Sequence, residues 1–263
     1  MIRLLSIELN KLRSYRAFWI LTTLYFVGLA GTLMTIQGVF NTFLDDNVPP
    51  VMRGGFRWDF YGLPDGWHYM SWVASLFNYL LPMVVIIIVS SEFTYKTVRQ
   101  NVINGLSRQE WMTGKLLLMG FFALASTLVL FLVALTFGLA HSDWKEGLGL
   151  FSQVGYVAGY FVQTCGYLIL AMLLSIIIRN TGVTIGVMAI YSLFLELVIE
   201  FRFPEEFRGF FPLRAFSNLV LNPFSRTAIG GAGAFDVQAW LVSLAYMGLF
   251  AGIGYWLLQK RDL

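Results

Sequence analysis

The sequence predicts an all-α membrane protein, on three observations. Only 13% of its residues are charged and 57% are hydrophobic, against about 25% charged in an ordinary soluble domain. Six apolar stretches can be drawn, Ala17 to Phe40, Trp72 to Ser90, Leu116 to Ala140, Val154 to Ile178, Gly182 to Ile199 and Val237 to Leu258. Each has the ~18 or more residues that cross a hydrocarbon core of about 30 Å as a helix. Their apolar residues run continuously instead of alternating, which favours six transmembrane helices over the strands of a barrel. One transmembrane domain, residues 1–263, accounts for the whole chain.

Ahead of the first span, residues 1–16 place Ile2, Leu5, Leu9 and Leu12 on one helical face, with Arg3, Asn10 and Lys11 elsewhere. This predicts an amphipathic helix lying in the inner membrane interface; a plain basic leader would orient the chain equally well. The first span is read as a retained helix. It is longer than the apolar core of a signal peptide, and TIQGVFNTFLDD offers no A-x-A cleavage site.

Residues 41–71 read as an outer loop with turns at Pro49, Pro50, Gly54, Gly55 and Pro64. Its Trp58, Trp67, Tyr69 and Trp72 suit an interfacial aromatic belt. In the second span, Asn78 and Pro82 are candidates for a transport path, because a proline frees a carbonyl one turn earlier and permits a kink or a gate. A packing irregularity is the alternative.

Residues 91–115 form the longest polar interruption inside the apolar chain. The expected form is a helix from Glu92 to Ile103, a left-handed close at Asn104-Gly105, and a capping box from Ser107 to Glu110 that opens the third span. A connection that only joins two helices needs about 2–8 residues. This longer, capped one is built to present a surface.

In the fifth span Glu196 and Glu200 share a face. An ionised group deep in the bilayer costs about 2.5 kcal/mol or more, so both are candidates for an export path, with pairing to Arg202 or Arg208 at the outer rim as the alternative. Residues 200–236 are too polar to span and too aromatic for a free linker. They read as short outer helices broken at Pro204, Pro212 and Pro223, a re-entrant segment shielded by protein, with Gly230, Gly231 and Gly233 loosening the entry to the last span.

An even number of spans puts both termini on one side. Arg3, Lys11, Arg13 and Arg16, the cations of residues 91–115, Arg179, Lys260 and Arg261 share that side, and the positive-inside bias makes it the cytoplasm. The net charge of +3 is therefore a topology signal, and no soluble basic segment is large enough to bind nucleic acid. Cys165 is alone, so no disulfide closes within the chain. His68 and His141 are isolated, which argues against a metal, and no hydrolase motif is recognisable. Gly114-Lys115 is followed by Leu116, and no phosphate-binding loop of the G-x-x-x-x-G-K-[ST] kind occurs. If ATP drives this protein, Mg-ATP is bound and hydrolysed by another chain.

Glu92, Thr97, Arg99, Gly105, Ser107, Arg108, Trp111 and Lys115 stand in an E-F-x-x-x-T-x-R and G-x-S-R-x-x-W pattern closed by a lysine. The pattern resembles the cytoplasmic loop between the second and third spans of ABC type-2 transporter permeases. The entry helix, six spans, broken outer segment and terminal Lys260-Arg-Asp-Leu263 are similar in arrangement. The resemblance implies an exporter subunit of a bacterial inner membrane with no catalytic centre of its own. It also implies a coupling role for Glu92, Thr97, Arg99, Gly105, Ser107 and Arg108 against a P-loop ATPase subunit, and a second permease, identical or related. The second and fifth spans would border the path, and the first and fifth would meet across the dimer. An ion-driven secondary transporter, an intramembrane enzyme and a membrane scaffold are the alternatives; the first would want charges deep in several spans.

Overall fold

The computed structural model describes residues 2–13, 15–49, 59–142, 149–223 and 236–260. All regular structure among the described residues is helical. Pro50, Gly54, Gly55, Trp58, the three glycines before the last span and the tail after Lys260 lie outside them.

Helix α1 (Ile2–Arg13) leads into α2 (Arg16–Asn47). The second crossing combines α3 (Gly66–Ser75), a 3-10 segment (Leu76–Tyr79) and α4 (Leu80–Thr94). Short α5 (Thr97–Ile103) precedes α6 (Arg108–His141) and α7 (Gly155–Ile178). The chain continues through α8 (Thr181–Ile190), a π-helical turn (Tyr191–Leu195) and α9 (Glu196–Glu200). Two short helices, α10 (Glu205–Arg208) and α11 (Pro212–Ser217), come before α12 (Val237–Lys260).

Among the described residues, five helical segments are long and apolar enough to cross a membrane: Arg16–Asn47, Gly66–Thr94, Arg108–His141, Gly149–Ile178 and Val237–Lys260. The stretch expected as a sixth, Gly182 to Ile199, is the shorter apolar helix Thr181–Leu195, whose winding widens at Tyr191. A π turn inserts an extra residue and rotates the helix beyond it. Here it precedes Glu196, whose carboxylate turns inward and accepts from the Arg214 backbone N–H at 2.7 Å.

The centre of the bundle is α7. Of its most apolar stretch 72% is buried, against 28% for the first crossing and 22% for the last, so the latter two are the spans most open to their surroundings. Without a hydrophobic force between helices in lipid, close approach comes from small residues and internal hydrogen bonds. A Cβ on Gly159 would stand 2.6 Å from the Leu219 carbonyl oxygen, and one on Gly166 would meet the Phe216 ring at 2.4 Å. These glycines seat the segment around α11, whose Ala215, Phe216, Leu219 and Val220 are buried. Pro204 and Pro212 begin the short helices instead of breaking them, Pro212 at the first turn, where its missing N–H costs nothing. Gly159→Ala is expected to destabilise by about 1–3 kcal/mol through overpacking. Gly120→Ala meets open space and should leave the midpoint of thermal denaturation in detergent unchanged or slightly raised. Equal midpoints for the two variants would refute this account of the α7 seat.

The second crossing begins earlier than the expected Trp72, at Gly66. Trp67, expected in an aromatic belt, is instead 0% exposed. Its indole N–H donates to the Leu150 carbonyl at 2.8 Å and its ring stacks on Phe131. An indole satisfied by protein has no need of the headgroup layer.

Candidate functional site

The polar interruption is built from the end of α4 outward. That helix runs past the expected boundary at Ser90 to Thr94 and stops at Lys96, whose φ of 56° is left-handed. The expected single helix from Glu92 to Ile103 is thus two, bent at Lys96, because α5 must turn back under the bundle to bury Val98. The Thr97 hydroxyl donates to the Glu92 carbonyl at 3.2 Å and ties the bend.

Helix α5 closes as the Asn104-Gly105 pair predicts. The Leu106 N–H reaches the Asn101 carbonyl at 3.0 Å and the Gly105 N–H the Val102 carbonyl at 3.1 Å, with Gly105 at φ 93°. This is the paired closure that a left-handed glycine permits. The capping box is present: the Glu110 N–H donates to Ser107 Oγ at 3.1 Å, and the Ser107 N–H donates to Glu110 Oε2 at 2.8 Å. Two of the orphan amides at the start of α6 are thereby satisfied.

Beneath this elbow lies a closed ionic cluster. Lys115 is 0% exposed, and its ammonium donates to Glu8 and, at 2.7 Å, to Glu92 Oε1. The Trp111 indole N–H donates to Glu92 Oε2 at 2.7 Å. Lys11 Nζ lies 2.8 Å from Glu8 Oε1 and 3.6 Å from Glu92 Oε1. Two carboxylates and two ammonium groups balance, and the Lys115 ammonium also stands 5.6 Å from the Trp111 ring centroid. The cluster joins α1, α4 and α6 at one point. Buried charges are tolerable only with such pairing, and removing one member strands the rest.

Other contacts draw the remaining helices to the same end. Arg108 donates to the carbonyls of Leu258 and, at 2.7 Å, Gln259, meeting the unsatisfied acceptors and negative dipole end of α12. Arg179, which closes α7 at φ 56°, holds its guanidinium 5.1 Å from the Phe93 ring centroid. Helix α1, the elbow and the C-terminal end of α12 therefore share one end of the bundle.

The residues singled out in the sequence divide by direction. Glu92, Trp111 and Lys115 point inward, so Glu92, expected on the presented surface, positions the elbow instead of facing outward. Thr97, Gly105 and Ser107 shape the chain, and Arg108 holds α12. Arg99 faces outward with Lys96, Gln100 and Asn104, and with Tyr95 and Ile103, each 72% exposed. Sequence reasoning missed Glu8, although an acid at the i+3 position from Leu5 on the apolar stripe of α1 is a visible sign of a buried partner.

Asn78 is buried, and its Oδ1 accepts from the Thr164 hydroxyl at 2.9 Å. Thr164 also approaches the Tyr160 carbonyl at 2.8 Å, and the Tyr160 hydroxyl lies 2.6 Å from Ser126 Oγ, itself 2.7 Å from the Tyr25 hydroxyl. This chain ties α2, α6 and α7 to the 3-10 segment, so Asn78 stands in a packed helix junction. Pro82 is also buried; having no N–H for the Asn78 carbonyl, it comes just after that 3-10 segment. Glu196 holds the first turn of α11 through Arg214, and the Glu200 side chain lies outside the described residues. His68 stacks on Tyr156 and its Nε2 lies 2.7 Å from the Leu221 carbonyl, while His141 Nδ1 lies 2.8 Å from the Phe137 carbonyl. Among the described residues no three His, Cys, Asp or Glu side chains gather to hold a metal ion.

No curated protein of known function matches the chain. Over residues 34–263 it matches the family described as Protein of unknown function (DUF2705), and with that span covering most of its length the chain belongs to this family.

Proposed function

We propose that this chain is the permease subunit of an ATP-binding-cassette exporter, docking through the outward face of α5 on a separate P-loop ATPase that binds Mg-ATP. The observation that carries the reading is the mounting of α5. It is closed at its C-terminus by Gly105, followed at once by the capping box, and held over a buried ionic cluster that reaches α1, α4 and α6. A segment fixed so firmly passes a push from a partner into the helices, where a loose loop absorbs it. Its outer rim mixes cations with two exposed apolar side chains, Tyr95 and Ile103, the composition of a protein-facing patch more than of a solvated turn.

In this reading Thr181–Glu200 supplies a sixth crossing, both termini and the elbow are cytoplasmic in a bacterial inner membrane, and two permeases work with two ATPases. The chain itself carries no catalytic group. The test is extraction of the chain from its own cells in mild detergent, identification of what accompanies it, and assay of magnesium-dependent ATP hydrolysis. A stoichiometric P-loop ATPase is expected. A well-folded preparation without one, together with uptake or efflux driven by an ion gradient alone, would replace this reading with a secondary transporter.

A further inference from the structure

Between α1, the first turns of α2 and the middle of α6 lies a cavity of about 660 Å³. Its walls are Phe18, Phe26, Val27, Phe121 and Phe122, while Arg13 stands at its α1 edge. Thr22 also lines it and is buried. Threonines in apolar helices usually return their hydroxyl to the carbonyl four residues earlier, as Thr35, Thr42, Thr127 and Thr136 do here. The Thr22 hydroxyl does not: among the described residues it meets no hydrogen-bond partner. A buried, unsatisfied hydroxyl on a residue that lines an apolar cavity carries a desolvation cost, which a ligand oxygen reached by a small turn of the side chain would relieve.

The three features are stacked in depth. Arg13 precedes α2, Thr22 lies about 9 Å beyond Arg16 at ~1.5 Å per residue, and the apolar walls continue from Val27 and Phe121. A glycerophospholipid has the same sequence of groups: phosphate, then ester carbonyls, then acyl chain. We infer that this cavity holds one anionic phospholipid, its phosphate on Arg13, an ester carbonyl accepting from the Thr22 hydroxyl, and an acyl chain along Phe26, Val27 and Phe122. The bound lipid wedges the corner between α1 and α2 and so supports the helix that carries Glu8. The inference is independent of transport and of which leaflet faces the cytoplasm.

The test is native mass spectrometry of the full chain in micelles holding equimolar phosphatidylglycerol and phosphatidylcholine of matched acyl chains. One retained lipid per chain is expected, with phosphatidylglycerol preferred about five-fold, the ratio that one surface cation supplies. Arg13→Gln should bring the preference to about one. Thr22→Val, which removes only a hydroxyl that no described group uses, should leave thermal stability unchanged and lower occupancy by both lipids about three-fold. A wild-type chain that retains no lipid, or both equally, overturns the proposal, as does a preference that survives Arg13→Gln. If a lipid-free Thr23→Cys chain, whose cysteine would line the same cavity, crosslinks to a second copy, the groove is a contact between copies and the proposal also falls.

Discussion

Lys115→Met is expected to cost about 3–5 kcal/mol of stability, because it leaves the carboxylates of Glu8 and Glu92 buried without their shared counter-charge. Methionine matches the lysine stem in length, so the loss is electrostatic, with little contribution from a cavity. Lys11 remains within 3.6 Å of both acids but is partly exposed and cannot replace an ammonium held between them. Adding Glu92→Gln to Lys115→Met should therefore recover part of the loss, a coupling of about 0.5–3 kcal/mol of the size seen between members of one network. The measurement is resistance to proteolysis at the α1 end together with the thermal midpoint of the four chains of the cycle. Strict additivity would mean that the groups do not act as a unit, and the fixed mounting of α5 would lose its basis.

Arg99→Glu and Ile103→Asp should do the opposite: leave the fold intact and abolish the partner. Both side chains are exposed on the outer rim of α5, so each should change stability by no more than about 0.5 kcal/mol. If the rim docks on an ATPase, either variant should weaken that association by about thirty-fold, the effect of losing a central contact residue of about 2 kcal/mol, and transport should fall with it. The readouts are the ATPase-to-permease ratio after affinity purification and ATP-dependent export in vesicles. Unchanged ratios and export in both variants would leave α5 without a docking role. Lys115→Met distinguishes the two effects, since it lowers stability before it touches the rim.

The helical class and the stretches that became the five long spans were legible because lipid imposes them: a continuous apolar run must satisfy its own backbone. Ser107 with Glu110 and Asn104 with Gly105 were legible for a related reason, since caps are chemistry between residues close in sequence. The features that could not be read were set by neighbours distant in sequence. Trp67 is equally suited to a headgroup belt and to a core, and only the approach of Leu150 and Phe131 decides between them. Glu92 looked presented because its partners, Glu8 and Lys115, belong to two other helices. The widened turn at Tyr191 leaves no mark in a hydropathy pattern, and Glu196 meets its acceptor role only once α11 has folded beside it.

The pairing of Glu8 with Lys115 joins residues 107 apart in the chain, and that separation has a meaning in time. At ~5–20 residues per second of synthesis, about 5–20 s pass between the appearance of the acid and that of its counter-ion. Throughout that interval Glu8 has only Lys11 of its own helix beside it, and α1 waits without its lock while α2 and the second long segment are made. Arrival of α6 delivers the lysine, and the helix made first is among the last to reach its final place.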